Sequence, residues 1–404
     1  MTPRSLLDPS DPDVRIEFGM AEAEVAQHAQ WRASAGVFRA IEQTLREATA
    51  HPAVFVHTEL LSSQDAVEYA QRAAAADLAV RLNLAEGTVR TYGHAAGNLR
   101  TRMPQLWAWF GDGQVSTQNA REAATLVAEL PEEHWAAFDS GLVEPAQRLT
   151  PPRFRLKARA LRDRLIAADA AERHARAAEQ RHMAAESDRD GMGWLNAYLP
   201  MEQITLIEAH IGHLAYEAWK LPEQTRTMTQ LRADLLADLL TGKTTGTGAG
   251  VTVALTIPML TLLGQSDQPA TLEGVGPIDL DTARALCAGV PSITRMLTDP
   301  VTDEILHLDP TQYRTTKKLQ RFLAQRDVTC TFPGCGRRAL DCDIDHILAR
   351  QHGGTTIPKN LHHLCRKHHR LKHISRWKIA RTEDGTTTWT SPTGNTRNAD
   401  PPPF

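Results

Sequence analysis

The chain has 404 residues, of which 42% are hydrophobic, and its formal net charge at pH 7 is only −3. This length allows two or more domains, while no apolar run reaches the roughly 18 residues that a membrane span needs. The N-terminal stretch MTPRSLLDPSDPDVR lacks the apolar core of a signal peptide. We therefore expect a soluble, cytoplasmic protein that does not enter a membrane.

The charges are distributed unevenly along the chain. Residues 311–381 contain 16 Lys and Arg against 4 Asp and Glu, whereas the rest contains 29 against 44. The same segment holds seven of the 17 histidines and four of the five cysteines. A basic surface favours polyanions, and closely spaced cysteines in a reducing compartment favour metal ligation over disulfides. The sequence thus predicts metal and polyanion binding in one segment.

Most of the chain is predicted to be helical. After an N-terminal arm over residues 1–24, residues 25–310 are predicted to form a mostly helical domain. Apolar residues occur at helical spacing from about Val14 to Gly242, as in DAVEYAQRAAAADLAVRLNL and RFRLKARALRDRLIAADAAERHARAAEQRHMA. We predict a linker at TGKTTGTGAG from Thr241 and a strand near residues 251–260. The fold class is therefore mainly α, with a small α/β segment. Capping and turn signals add helix starts at Ser116 or Thr117, at Thr150–Pro152 and near Met201, and a short strand at WLNAYLP.

Three features of this helical part have competing interpretations. The run AVRLNLAEGTVRTYGHAAGNL from Ala79 has the spacing of a helix-turn-helix, but we favour plain helix packing because such helix pairs are common structural units. The tryptophans, among them Trp107, Trp109 and Trp219, are interpreted as core anchors rather than as a ligand site. The basic helix around Arg153–Arg164 is interpreted as a solvated face.

Four residues have the spacing of a closed metal site. Cys330-x4-Cys335 lies across a Phe-Pro-Gly turn, and Cys365-x2-His368 follows about thirty residues later. These ligand types match a tetrahedral Zn²⁺ site of the Cys3His kind, which a small domain with little apolar core needs for stability. Cys342 is a competing ligand, and a disulfide or idle thiols are the alternative to a metal.

A second metal site is predicted beside the first. Asp345 and His346 lie in a short predicted strand, where neighbouring side chains point to opposite faces. On the helix predicted for LHHLCRKHHRLKH, His369 and His373 share a face, whereas His368 and His369 point about 100° apart. Asp345 can therefore meet His369, with His373, as an open oxygen and nitrogen site for a second metal.

The order of these residues resembles the HNH endonuclease motif: Asp345 and His346, then Asn360, then His369, between two Cys-containing pairs. The wider context, RDVTCTFPGC, CDIDH and NLHHLCRKHHRLK, is similar to the actinobacterial 13E12-repeat family. Its members join a helical domain called DUF222 to a C-terminal HNH domain. The resemblance extends over roughly residues 25–378 and is most specific in the last sixty.

The resemblance implies that residues 311–381 form a small zinc-containing ββα-metal domain that hydrolyses phosphodiester bonds in DNA. His346 would act as the general base, and Asp345 with His369 would hold Mg²⁺ or another divalent metal. Asn360 would brace the loop, or it is an ordinary turn residue. The surrounding basic residues are expected to contact phosphates: Arg337, Arg338, Arg350, Lys359, Arg366, Lys367, Arg370 and Lys372.

Two positions depart from the family pattern. Many members have a His-His pair where this chain has Asp345-His346, and a histidine is expected one position beyond His373. The rival interpretation is a non-cleaving, zinc-stapled DNA-binding protein associated with a mobile element. A structural zinc domain for protein contacts fits the basic excess poorly, and a homodimer would suit double-strand cleavage. We expect residues 382–404 to form a tail that is disordered toward its end, from about Thr386.

Overall fold

The computed structural model describes residues 11–166, 170–221, 223–241, 255–256, 270–272, 276–287, 317–382 and 385–400. These residues form two compact units, one made of residues 11–166 and 317–400 and the other of residues 170–287. The predicted boundary between residues 310 and 311 lies outside the described residues, and the described residues 317–400 pack with residues 11–166. Among the described helices, none combines the length and the apolar character that a membrane crossing requires.

Seven helices build the N-terminal part of the first unit. The first helix begins at Pro12, where the side chain of Asp11 accepts a hydrogen bond from the backbone N–H of Asp13, so the arm predicted over residues 1–24 is helical from Pro12 onward. The helix starts predicted at Ser116 and Thr150 are confirmed. The helices are α1 (Pro12–Ala50), α2 (Ala66–Leu82), α3 (Glu86–Arg102), α4 (Pro104–Gly111), α5 (Thr117–Val127), α6 (Trp135–Arg148) and α7 (Pro151–Leu165).

The core of these helices is built from large apolar side chains such as Phe38, Phe110 and Phe138, all fully buried. Trp107 packs against this core, as predicted. The prediction was wrong for Trp109, whose exposed fraction is 42%, because it lies on the outer face of α4.

The predicted helix-turn-helix segment is a packed helix pair. Helix α2 ends at Leu82, its C-cap Asn83 has a left-handed backbone conformation with φ of 54°, and α3 begins at Glu86. Val89, Ala96 and Leu99 of α3 are buried, and α3 contacts α1, α2 and α5. This is the plain helix packing that we favoured.

The second unit mixes helices with short antiparallel strands. The helix predicted through Ala184 ends earlier, because His182–Ser187 pair with Gly193–Tyr198 as a hairpin. The strand at WLNAYLP and the helix start at Met201 are confirmed, but Trp219 is exposed rather than a core anchor. Of the predicted linker and of the strand near 251–260, only Thr241 and Leu255–Thr256 lie within the described residues. The elements are α8 (Ala170–Glu179), β1 (His182–Ser187), β2 (Gly193–Tyr198), α9 (Met201–Trp219), α10 (Met228–Thr241), β3 (Leu255–Thr256), β4 (Ala270–Leu272), β5 (Gly276–Ile278) and α11 (Leu280–Cys287).

The C-terminal segment of the first unit has two strands followed by a helix. Asp343–His346 pair antiparallel with Leu361–Leu364, with Asp345 opposite His362. A helix had been predicted for the LHHL stretch; that prediction was wrong because these residues are held by the neighbouring strand, and the helix begins only at Arg366. The elements are α12 (Lys317–Asp327), β6 (Asp343–His346), β7 (Leu361–Leu364), α13 (Arg366–Ile374), β8 (Lys378–Arg381), β9 (Thr387–Thr390) and β10 (Thr396–Asn398).

The disorder predicted from about Thr386 is not what the structure has up to residue 400. Strands β8, β9 and β10 form one antiparallel sheet. Trp389 is fully buried against Phe332 and Trp377, and its indole N–H donates to the carbonyl of Thr331 at 2.9 Å. One buried tryptophan thus gives the polar tail an apolar anchor. Residues 401–404 lie outside the described residues.

The C-terminal segment is joined to the N-terminal helices by backbone contacts. Val56 forms an isolated β-bridge with Ser375, and the N–H of Arg376 donates to the carbonyl of Phe55 at 2.9 Å. The hydroxyl of Thr393 bonds to the carboxylate of Asp77. The segment is therefore part of the same folded body as α1 and α2.

Candidate metal centres

The first candidate centre begins at a tight turn. The N–H of Cys330 donates to the carbonyl of Arg337 at 2.8 Å, and the N–H of Cys335 donates to that of Phe332 at 3.1 Å. Gly334 has φ of +76°, a left-handed conformation that favours glycine. The turn holds Cys330 and Cys335 near each other, as the Cys-x4-Cys spacing predicts.

The other half of this centre comes from the first turn of α13. Cys365 is the N-cap residue of that helix and His368 lies in its first turn. The Nδ1 atom of His368 lies 3.4 Å from the sulfur of Cys330 and 3.4 Å from that of Cys365. A thiolate and an imidazole on one tetrahedral zinc ion are about 3.5 Å apart, given the usual bond lengths. The four predicted ligands are thus brought together, with all ligand atoms within 4.8 Å of one another.

Hydrogen bonds within this cluster shift the pKa values of its members in opposite directions. Burial alone would lower the pKa of His368, but hydrogen bonds to Cys335, Cys365 and Glu86 raise it to about 11. Hydrogen bonds from Cys330 and Cys335 lower the pKa of Cys365. Hydrogen bonds among the thiols and burial raise the pKa of Cys330 and Cys335, so these shifts describe one thiolate, Cys365, beside the imidazole of His368. The donor set and the distances between its atoms could hold a metal ion.

Cys342 is not part of the group of four, although it was predicted as a competing ligand. Its thiol lies 3.2 Å from the carbonyl of Arg338, to which it donates. It is partly buried beside the cluster.

The second candidate centre lies where β6 meets α13. Asp345, His369 and His373 bring one oxygen and two nitrogen atoms within 4.8 Å of one another, as predicted. The Oδ1 atom of Asp345 is 3.5 Å from Nε2 of His369. Two ligand atoms that each lie about 2.1 Å from one ion are about 3.0–3.5 Å apart. The donors therefore fit a divalent metal.

Asp345 is a buried carboxylate with an unpredicted partner. Its Oδ2 atom accepts from Nζ of Lys372 at 2.6 Å and lies 3.5 Å from Nε2 of His362. Burial alone would raise the pKa of Asp345, but the contacts with His362 and Lys372 lower it. Since these contacts engage Oδ2, the other oxygen remains toward His369. The side chain of Lys372, which is predicted to contact phosphate, is only 12% exposed and points at Asp345.

His346 follows Asp345 on the strand and faces a different neighbour. Its Nε2 atom lies 3.1 Å from the hydroxyl of Thr356. Burial lowers the pKa of His346 below its ordinary value of 6.5, and the carboxylate of Asp345 opposes this only in part. Burial also lowers the pKa of His373. Both imidazoles therefore favour the neutral form, which can accept a proton or bind a metal.

Asn360 braces the loop between β6 and β7. Its side-chain amide donates to the carbonyls of Leu348 and Thr355 at 3.0 and 2.9 Å, and its side-chain oxygen accepts from the N–H of Leu348 at 2.9 Å. Gly354 packs so close to Leu348 that a Cβ atom would collide with its carbonyl. The loop that carries Thr356 is thus held by Asn360 through hydrogen bonds.

The other basic residues predicted to contact phosphate have different surroundings. Arg337, Arg366 and Arg370 are exposed. Lys367 pairs with Glu86, and Arg338 pairs with Asp341 at 3.0 Å. Within the loop, Arg350 donates to the hydroxyl of Thr356 at 2.7 Å, and Lys359 is exposed.

Sequence reasoning missed the residues that surround the predicted ligands. Glu86 lies 282 residues before His368. Its position at the start of an ordinary helix gave no sequence signal of a contact with the metal ligands. Lys372 was noticed only as one of many basic residues, and Thr356 was not singled out. Their roles depend on which elements pack together, which local spacing does not encode.

A family assignment follows from the N-terminal part of the chain. The sequence model of the family described as "Domain of unknown function (DUF222)" matches residues 35–327, which is more than half of the chain. The chain belongs to the DUF222 family. The DUF222 match includes Glu86 and ends before Cys330, so the metal-binding candidates follow it in the sequence.

Three relatives align with short stretches of this DUF222 protein. Each is 47% identical over 90 residues. The uncharacterized protein Rv3776 of Mycobacterium tuberculosis (strain ATCC 25618 / H37Rv) is matched over 22% of this chain and 17% of its own length. MT2160 of strain CDC 1551 / Oshkosh and Rv2100 of strain H37Rv are matched over 22% of this chain and 16% of theirs. The alignments thus span less than a fifth of each relative. No solved structure matches the chain significantly.

Proposed function

We propose that this DUF222 protein is a metal-dependent HNH-type endonuclease that hydrolyses phosphodiester bonds in DNA. One arrangement carries the proposal: Asp345, His369 and His373 converge on one point, and His346 is the next residue on the same strand. Two paired strands and a helix, β6, β7 and α13, support these residues. Two strands followed by a helix support the ββα fold that the sequence resemblance implies.

We infer that the Cys and His cluster holds Zn²⁺ in a structural role. Three sulfur ligands and one imidazole are a common donor set for structural zinc, which leaves no position for substrate. The cluster is largely buried, which suits a closed site. A metal here would stabilise the turn at Cys330 against the start of α13.

His346 would act as the general base in this reaction. Because its pKa is lowered, the imidazole would be neutral at pH 7 and able to accept a proton from water. Thr356 engages Nε2, so Nδ1 is the nitrogen that would take the proton. Asn360 would hold the loop that carries Thr356, and so orient the base.

The side chains around Asp345 would prepare the second centre. Lys372 keeps Asp345 ionised and fixes one of its oxygens, while His369 faces the other. A divalent ion bound there would neutralise charge on the scissile phosphate and stabilise the leaving oxygen. Exposed Arg337, Arg366 and Arg370 would attract the DNA backbone in a salt-dependent way.

Nicking of supercoiled plasmid tests this proposal. We expect the full chain to nick plasmid with Mg²⁺, Mn²⁺ or Ni²⁺, and His346→Ala to be about 10²- to 10⁴-fold slower, because a general base contributes that much. His352→Ala is the matched control, since His352 is an exposed histidine of the same loop. Equal rates for both variants, or no metal-dependent nicking by the wild type, would contradict the assignment.

A second candidate function is non-cleaving DNA binding, associated with a mobile element. The contact of Lys372 with Asp345 favours this alternative, because the positive charge of Lys372 balances that of the ionised carboxylate without any metal. Under this alternative the wild type would bind DNA and one Zn²⁺ per chain but would not nick plasmid.

If the protein instead cuts both strands of DNA, we propose that it acts as a homodimer. Sedimentation of the complex with DNA would detect the dimer.

A further inference from the structure

Glu86 lies at the first position of α3, far in sequence from the Cys and His cluster. Its side chain is only 10% exposed. Charged carboxylates are rarely buried unless they are paired. We therefore expect the buried carboxylate of Glu86 to have charged or hydrogen-bonding partners.

Glu86 divides its two oxygens between two neighbours on α13. Oε1 contacts Nε2 of His368 and Oε2 contacts Nζ of Lys367. The other ring nitrogen of His368, Nδ1, faces the sulfurs of Cys330 and Cys365 at 3.4 Å each. The carboxylate thus lies on the side of the imidazole that faces away from the cluster.

The ring of His368 is also held by an aromatic side chain that stacks on one of its faces. Phe332 stacks on it with the ring centroids 4.1 Å apart and the planes 19° apart. Stacking fixes the plane of the ring but leaves open which nitrogen carries the proton. A carboxylate at Nε2 settles that choice, because it accepts the Nε2–H and leaves Nδ1 with its lone pair.

We propose that Glu86 is a positioning residue of the metal centre: it accepts the Nε2–H of His368, presents Nδ1 to the metal, and links the centre to the helical DUF222 region. The inference rests on the proposed zinc site. It adds a residue that lies 282 positions away from His368 and outside the Cys and His motif. It also gives the helical region a direct part in metal binding.

Zinc affinity of the full chain tests this role. Glu86→Ala should bind Zn²⁺ about 10- to 100-fold more weakly in competition with a chromophoric chelator, because loss of a carboxylate behind a ligating histidine has that effect. Glu86→Gln should lose less, since its amide oxygen still accepts the N–H. Cys365→Ser provides the reference for loss of a ligand.

The matched control is Glu122→Ala. Glu122 is a half-buried glutamate of the same unit that pairs with Arg155 and Arg159, away from the cluster. It should leave zinc affinity unchanged. In Co²⁺-loaded protein the visible absorption bands should shift in Glu86→Ala, because the histidine is reoriented, and should stay unchanged in Glu122→Ala.

The outcomes separate the two proposals. A wild-type chain that binds no metal overturns the zinc site and this inference together. A wild type that binds zinc, with Glu86→Ala equal to Glu122→Ala in affinity and cobalt spectrum, overturns the role of Glu86 alone. If Glu86→Ala does not fold, Glu86→Gln, which has nearly the same shape, is compared with Glu122→Gln on both measurements.

Discussion

Asp327 and His363 form a buried pair between α12 and β7. Both side chains are only 4% exposed. Asp327 accepts from the backbone N–H and from Nδ1 of His363, each at 2.9 Å, and from Nε of Arg326 at 2.7 Å. Burial alone would raise the pKa of Asp327, but the hydrogen bond from His363 and the charge of Arg326 lower it. This carboxylate thus ties the helix to the strand before Cys365.

Asp327→Asn should lower the free energy of unfolding at pH 7 by about 1–3 kcal/mol, because buried donors lose their charged acceptor. A carboxylate whose folded pKa is lowered contributes stability above its unfolded pKa of about 3.9 and loses it as the pH falls through the folded pKa. The difference between wild type and variant should therefore shrink below about pH 4. Urea unfolding at pH 7 and pH 3 measures it.

Asp341→Asn is the control for that experiment. Asp341 pairs with Arg338 at the surface, and exposed pairs contribute less than about 1 kcal/mol. An effect of Asp327→Asn as small as that of the control at pH 7 would contradict the role given to the buried pair.

At the scale of elements, the loop between β6 and β7 depends on close backbone approach. Asn360 closes it from one side, and Gly354 fits against the carbonyl of Leu348 from the other. The loop carries Thr356, which contacts His346. Its shape therefore determines where His346 points.

Gly354→Ala should destabilise this loop, because its Cβ would overlap the carbonyl of Leu348. We expect a loss of about 1–3 kcal/mol, as for overpacking elsewhere, and faster hydrogen exchange of the backbone N–H of Leu348. Gly336→Ala is the control, since a Cβ at Gly336 meets no atom within 4 Å. Unchanged exchange in Gly354→Ala would show that the loop adapts without cost.

The sequence predicted the elements with local signals and missed those that depend on pairing. The helix starts at Ser116 and Thr150 could be predicted because a cap residue acts on its own first turn. Strand β1 could not, because its Ala- and Glu-containing sequence favours a helix and only pairing with β2 makes it extended. Strand β7 was missed for the same reason, whereas β9 was missed because the polar tail was predicted to be disordered.

In the candidate site, too, some residues could be predicted from the sequence and others could not. Local spacing predicted the pairs Cys330 with Cys335 and Cys365 with His368. The ligand types and the resemblance to the HNH motif, rather than spacing, predicted that these pairs meet and that Asp345 meets His369. Glu86 and Lys372 could not be predicted, because their partners come from other elements.

Residues of the first two helices and of the C-terminal strands share one buried core. Trp389 near the C-terminus belongs to the same buried cluster as Ala48 and Val80 of α1 and α2. Phe332, which stacks on His368, lies beside Trp389. The last strands therefore support both the helical part and the Cys and His cluster.

Trp389→Ala should lower the free energy of unfolding of this unit by about 3–5 kcal/mol, as large core truncations do. The loss should appear as faster hydrogen exchange in both α2 and α13, because the cluster includes residues of both. Trp109→Ala, which removes a tryptophan that is 42% exposed, is the control. Faster exchange in α13 alone would contradict a shared core.

The pairing of Glu86 with His368 has a consequence for the order in which the protein is made. The two residues are 282 positions apart, so at about 5–20 residues per second they leave the ribosome on the order of 14 to 56 s apart. Before His368 emerges, we expect water to solvate the carboxylate of Glu86. The apolar side chains of α1 and α2 that pack against the C-terminal segment would then be exposed to solvent. We expect metal capture and closure of this unit to come together, once His368 has left the ribosome.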